Sequence, residues 1–163
     1  MKNILIVSGH PDLNNSFANK NILEELNSLL PEAEFAYLDK LYPDFRIDIE
    51  TEQKRLLRAD IIVFQFPLFW YSAPSLLHRW IEQTFVHGFS HGQTGDKLKG
   101  KKLILSFTSG APEEMYCYGG YKIILSKIFF RPINSWPIYA DCNGKAIYIA
   151  EASLTPTGMM RRF

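Results

Sequence analysis

The sequence has little cysteine, no excess of either charge and no long apolar run, and each shortage excludes a class of function. Its two cysteines, Cys117 and Cys142, have no CxxC spacing and cannot assemble a metal cluster by themselves. A formal net charge of +1, with no block of Lys or Arg, gives no electrostatic case for nucleic acid; the Arg161–Arg162 pair is too short to form a basic patch. The opening apolar run, Ile4 to Val7, is shorter than a signal-peptide core or a membrane span, and no later run reaches membrane length. A cytoplasmic location is therefore expected. A length of 163 residues predicts one domain over 1–163 with a single core.

What is there is a soluble globular composition with many aromatics, and an alternation of strand and helix signals. Ile4-Leu5-Ile6-Val7 is apolar without alternation, which suits a strand buried on both faces. Ser16 can cap a helix carrying Ala18, Ile22, Leu26 and Leu29–Leu30, stopped by Pro31. Phe35 to Leu38 reads as a second strand, and 42–49 as irregular. A short helix follows, with Glu50 and Glu52 early and Lys54, Arg55 and Arg58 late, the order that the helix dipole favours. Ile61 to Phe64 reads as a third strand running to Pro67. Ser72 is expected to start a helix with Pro74 in its first turn and Leu76, Leu77, Trp80, Ile81 and Phe85 inward. Leu103–Phe107 reads as a fourth strand, about 122–130 as a helix, and Ala146–Ala150 as a fifth strand. This order predicts an α/β protein: a doubly wound, five-stranded parallel sheet with helices on both faces.

In such sheets ligands sit beyond the carboxyl ends of the strands, where the strand order reverses. Three loops qualify. Ser8-Gly9-His10-Pro11 through Ser16-Phe17-Ala18 can present N–H groups, His10 and the Ser16 hydroxyl to a phosphate; it reads equally well as a turn and a helix cap. It has neither Walker nor GxGxxG spacing. The second loop, Gln65 to Ser72, puts Phe66, Phe69, Trp70 and Tyr71 where aromatic walls can shield a flat ring system. The third, Thr108-Ser109-Gly110 through Tyr116 to Gly119-Gly120-Tyr121, has small residues that let backbone N–H groups approach an electronegative ring edge, and Tyr116 can donate to charge developing there. Glu113 and Glu114 read as the acidic first turn of a helix. His78 reads as a helix-surface residue. His87 and His91, with no acid cluster nearby, do not make a metal site, and Cys117 is notable only as a neighbour of Tyr116.

These segments resemble the flavodoxin-like NAD(P)H dehydrogenase (quinone) family, which includes small bacterial flavoproteins and the ancillary subunits of glutathione-gated potassium efflux systems. The resemblance spans roughly positions 3–135. It rests on Ser8-Gly9-His10-Pro11 with Ser16, Leu41-Tyr42-Pro43-Asp44-Phe45 with Ile47-Asp48-Ile49, Phe64 through Ser72, Gly88-Phe89, and Gly110-Ala111-Pro112-Glu113-Glu114 through Gly119-Gly120-Tyr121, all in this order. It implies the flavodoxin-like fold, a homodimer with active sites at its interface, and a two-step reaction in which NAD(P)H reduces a bound flavin and leaves before a quinone enters the same pocket. The flavin carries the hard chemistry and the protein supplies orientation and electrostatics.

By the same resemblance, His10, Ser16, Phe17 and Ala18 would hold the flavin phosphate. Pro67, Leu68, Phe69 and Trp70 would line the isoalloxazine. Thr108, Gly110 and Tyr116 would bond its pyrimidine edge, with Tyr116 the catalytic candidate. FMN is expected, with FAD the alternative. Two departures from the family pattern stand out. Some members place a histidine a few residues after the position of Tyr116, where Tyr121 stands nearby and no histidine does, and after Ala152 no amphipathic run provides a final helix. Two other functions fit the same fold. One is a flavodoxin-type electron carrier, against which the +1 balance argues, since such carriers present acidic surfaces. The other is a flavin-binding regulatory subunit of a potassium efflux system, with a membrane transporter as partner; segment 42–49 resembles those proteins.

Overall fold

The chain is described by a computed structural model at residues 2–70, 72–110, 138–140 and 146–153, the last two stretches as backbone. Four strands form the parallel part of the sheet: β1 (Ile4–Ser8), β2 (Glu34–Tyr37), β3 (Ile61–Pro67) and β4 (Lys102–Thr108), in the order β2-β1-β3-β4. The order reverses between β1 and β3. Helices α1 (Phe17–Leu29), α2 (Leu38–Leu41), α3 (Ile49–Arg58) and α4 (Ser75–Thr84) connect or flank them.

Side-chain period explains the unbroken apolar runs. Successive residues of a strand face opposite sides, so β1 supplies Leu5 and Val7 to a core shared with Leu38, Leu56, Leu76, Leu77 and Trp80 of α2, α3 and α4. Ile6 faces the other way, onto Leu13 and Leu23, with Leu26 and Leu30 packed alongside. Both faces are covered, as the sequence predicts, because neither set can be left in water.

Several boundaries move for physical reasons. Strand β2 ends at Tyr37, and Leu38 begins the short α2, which the apolar pattern did not reveal. Helix α4 begins at Ser75, three residues after the expected start. Ala73 precedes Pro74, whose ring disfavours helical backbone in the residue before it. Pro74 then takes the capping position in extended conformation.

The expected fifth strand forms, but in the opposite sense. It is β6 (Ala146–Ser153), and it pairs antiparallel with β4 from Thr108↔Ile147 to Lys102↔Ser153. Its neighbour β5 (Ile138–Ala140) pairs antiparallel with it, closing the order β2-β1-β3-β4-β6-β5. An apolar run carries no mark of strand direction; the connection decides it. The few residues between β5 and β6 are too short for a crossover and permit only an antiparallel pair. The expected helix near 122–130 and the chain after 153 lie outside the described residues.

One acid is a core anchor. Glu52, read in the sequence as a dipole-complementing residue, is fully buried. Its carboxylate accepts from the Tyr42 hydroxyl at 2.6 Å and the Trp80 indole N–H at 3.0 Å, and pairs with Arg55 at 3.6 Å. The three partners satisfy a group whose isolated burial would be costly, and they tie segment 42–49 to α3 and α4. Burial and the bond to Glu52 push the Tyr42 phenol well above its usual range.

Gly9 ends β1 against α4, where an added Cβ would lie 2.6 Å from Leu77 Cδ2. Gly9→Ala is therefore expected to destabilise the fold by about 1–3 kcal/mol, the usual cost of overpacking. The penalty should shrink in part in a Leu77→Ala background, which removes Cδ2 and Cγ but keeps Cβ at 2.9 Å, measured by denaturant unfolding of the four variants. Equal penalties in both backgrounds would contradict the contact.

Candidate functional site

The loops after β1, β3 and β4 meet at the carboxyl edge of the sheet, beside the reversal between β1 and β3, and backbone bonds join them. The Gly9 N–H donates to the Gln65 carbonyl at 2.8 Å, and the Leu68 N–H to the Thr108 carbonyl at 2.7 Å.

In the first loop His10 is folded inward. Its Nδ1 accepts from the Asp12 N–H at 3.0 Å, so in the neutral ring Nε2 carries the proton and is a donor. Burial lowers the His10 pKa, against Asp39 and Asp12, which raise it. The imidazole meets the Phe69 ring edge-on, with centroids 5.9 Å apart, linking first loop to second. A single turn at Leu13–Asn15 follows, fixed by Asp39, whose Oδ2 accepts from the Leu13 N–H at 3.1 Å. Ser16 then caps α1, its Oγ accepting from the Asn19 N–H as the sequence predicts. Phe17 is exposed and Ala18 half-buried in the first turn, where helix geometry leaves the Ala18 amide without an intrahelical acceptor. An open groove of about 550 Å³ runs along this end of α1, lined in part by Asn14, Asn15, Ser16, Phe17 and Lys20.

Sequence reasoning missed the residue at the centre of the site. Asn19 is buried on the sheet-facing side of α1. Its Nδ2 donates to Ser16 Oγ at 2.9 Å, while its Oδ1 accepts from Gln65 Nε2 at 2.8 Å and from the Thr108 hydroxyl at 3.2 Å. The available signal was polarity out of place: Asn19 shares the helix stripe of Leu23 and Leu26, and Gln65 interrupts the apolar β3. Among the described residues, three buried side-chain polar atoms have no partner: Ser8 Oγ, Asp39 Oδ1 and Gln65 Oε1. All three belong to this edge of the sheet, and such atoms are rare enough in folded proteins to point to a functional region.

The second loop divides. Phe66 turns inward and stacks on Phe107, with centroids 5.7 Å apart, so it serves the core and not a ligand wall. Pro67 is buried at the end of β3 and Leu68 is half-buried. Phe69 and Ser72 exchange two backbone bonds of 2.9 Å around a tight turn whose tip holds Trp70 at φ 48°, 90% exposed. The His78 ring, expected only to lie on the helix surface, reaches back to Ser72 Oγ at 2.6 Å and ties that turn to α4. Thr108 is buried, and no described residue beyond its chain neighbours lies within 4 Å of where a Cβ on Gly110 would project. Tyr71 and Tyr116 lie outside the described residues. His87 and His91 face each other edge-on at 5.7 Å; no cluster able to hold a metal ion occurs among the described residues.

Comparison with known proteins follows the same outline. Residues 2–131 match the family described by the flavodoxin-like fold. The glutathione-regulated potassium-efflux system ancillary protein KefF of Enterobacter sp. (strain 638) is 39% identical over 136 residues, covering 83% of this chain and 76% of that protein. Among solved structures, the general stress protein 14 of Treponema denticola, in complex with FMN, is 30% identical with TM-score 0.74, over 80% of this chain and 75% of its own. An NADPH-quinone reductase from P. pentosaceus is 27% identical with TM-score 0.67, over 81% and 74%. A structure described as a thermophilic tryptophan halogenase from Streptomycin violaceusniger is 38% identical with TM-score 0.72, over 78% and 74%. The chemistry in these names differs, while the fold they share is one.

Because burial lowers the His10 pKa below its ordinary 6.5, the unfolded chain takes up this proton before the folded one does. The stability contributed by neutral His10 is therefore complete above about pH 6.5 and declines as pH falls toward the folded pKa. Denaturant unfolding between pH 7.5 and 5.5 should show a shallower decline in His10→Gln than in the parent. Parallel declines would show that His10 is not held neutral by its burial.

Proposed function

The chain belongs to the flavodoxin-like fold family, and from that premise we propose that it binds FMN and uses it to pass a hydride from NAD(P)H to a quinone-like acceptor. The observation that carries this reading is the meeting, at one edge of the sheet, of a loop of neutral hydrogen-bond donors and a loop of exposed apolar side chains. A phosphorylated flat ring needs both.

The residues fit such a group. Ser16 Oγ accepts from the Asn19 side chain and N–H, and its own hydroxyl hydrogen has no acceptor among the described residues. That hydrogen, the Nε2–H of His10 and the first-turn amides at Phe17 and Ala18 would hold the phosphate at the helix N-terminus, where the macrodipole favours an anion. Pro67, Leu68, Phe69 and Trp70 would line the ring and exclude water from it. Thr108 and Gly110 would meet the pyrimidine edge, and Tyr116 would donate a hydrogen bond to charge developing there, a preorganised electrostatic role. When bound, the flavin supplies two-electron hydride chemistry. FAD would use the same loops and needs room for adenine beyond the phosphate.

The exposed Phe69 and Trp70 are consistent with a homodimer completing the pocket. The likeness to KefF favours a second, compatible role as the ancillary subunit of a potassium efflux transporter, which co-purification with the membrane partner would support. No helix among the described residues is long and apolar enough to cross a membrane.

Purified protein is expected to be yellow, to release FMN identified by mass spectrometry, and to oxidise NADH or NADPH with a benzoquinone acceptor. A colourless protein that takes up no flavin would refute the reading. Ser16→Ala should raise the Kd for FMN by roughly tenfold or more, since a hydrogen bond to a charged group contributes about 1.5–3 kcal/mol and 1.4 kcal/mol is tenfold. An unchanged Kd in fluorescence titration would remove Ser16 from the phosphate site.

A further inference from the structure

We propose that Asn19 is the positioning residue that sets the direction of the hydroxyl groups at both ends of the flavin site. The inference rests on the flavin-binding reading and goes beyond it by assigning a residue that touches neither end of the ligand.

The geometry fixes the amide. Asn19 Oδ1 receives two donors, Gln65 Nε2 at 2.8 Å and Thr108 Oγ1 at 3.2 Å, while Nδ2 faces Ser16 Oγ at 2.9 Å. The Asn19 backbone N–H points to the same Ser16 oxygen at 3.4 Å. With two donors directed at it, Ser16 Oγ has both acceptor sites engaged, and its hydrogen is left to point away from the helix. At the other end the Thr108 hydroxyl spends its hydrogen on Asn19, so only its lone pairs remain to face outward. One buried amide thus makes Ser16 a donor, suited to a phosphate oxygen, and Thr108 an acceptor, suited to a ring N–H. Preset polarity of this kind requires no reorientation when the ligand arrives. Turned over alone, the Asn19 amide would set two donors against each other at Gln65 Nε2, so its direction is coupled to that of Gln65.

Asn19→Asp tests it with almost no change of shape. A carboxylate cannot donate to Ser16, so the Ser16 hydrogen is drawn back to residue 19 and lost to the phosphate. Affinities for FMN and for riboflavin, which lacks the phosphate, are measured at pH 8 for the parent, Asn19→Asp, Ser16→Ala and the double variant. The expected result is a roughly tenfold or greater loss for FMN in Asn19→Asp, by the energetics of a charge-assisted bond, with riboflavin changed by less than about threefold. In the Ser16→Ala background, Asn19→Asp should have little further effect. Equal losses for both ligands would reduce Asn19 to a packing residue. An undiminished FMN loss in the Ser16→Ala background would assign the effect to carboxylate repulsion, and either result overturns the proposal. Asn19→Ala repeats the test without charge if the Asp variant does not fold, with a smaller FMN-selective loss expected. Failure of both variants to fold also overturns it. A parent that binds neither ligand overturns the flavin reading itself.

Discussion

Burial on both faces of the central strands is the constraint on which the rest of this structure depends. A polar side chain placed on β1, β3 or β4, or on a helix facing them, has no water to turn to and must find partners inside. The chain meets this demand differently on the two sides of the sheet. On the side of α2, α3 and α4, the buried Glu52 is closed off by Tyr42, Trp80 and Arg55. This is an arrangement complete in itself, and it fixes how the helices sit. On the side of α1, Asn19 gathers Ser16, Gln65 and Thr108 at the carboxyl edge, yet Ser8 Oγ and Gln65 Oε1 have no partner among the described residues. The closed arrangement reads as scaffold, and the open one as the side on which something else is meant to arrive.

How much of this was legible in the sequence depends on whether the signal was local. The β1 run, the Ser16 cap, the stop at Pro31 and the extent of α3 were all visible because each is set by a few neighbouring residues. The first two strand-end loops followed from topology and lie at the carboxyl edge as expected, while the third is described only to Gly110. What was not legible was set by distant partners. Glu52 looks like any acid in a first turn until Tyr42 and Trp80 are folded onto it. Phe66 and Phe69 are both aromatics of one segment, and only the fold shows that one enters the core from the end of β3 while the other stays half in water in the turn beyond it. The direction of β6 belongs to a connection and not to the strand, so its composition could not disclose it. Asn19 was passed over because a helix surface tolerates Asn; its importance comes from Gln65 and Thr108, 46 and 89 residues further along.

The fold is common ground for proteins whose names speak of potassium efflux, stress, quinone reduction and halogenation, so kinship alone does not select among them. The selection rests on the site. Donors at one helix end, apolar side chains at the next loop and an acceptor on β4 together describe a ligand with an anionic tail, a flat body and a polar rim. In the proposed reading these features answer to the flavin, and none of them to the identity of its acceptor.

The electrostatics of the first loop carry a consequence for selectivity. His10 is driven toward its neutral form by burial, the carboxylates acting on it are those of Asp12 and Asp39, and the nearby Lys20 is paired with Glu24 at 4.0 Å. An anion seated there would be recognised by the number and direction of its hydrogen bonds more than by its charge. Such a cradle is comparatively indifferent to ionic strength, and it gives no premium to the triphosphates and polyanions that crowd a cell. As the proposed phosphate site, it would favour a single phosphate monoester among far more highly charged competitors.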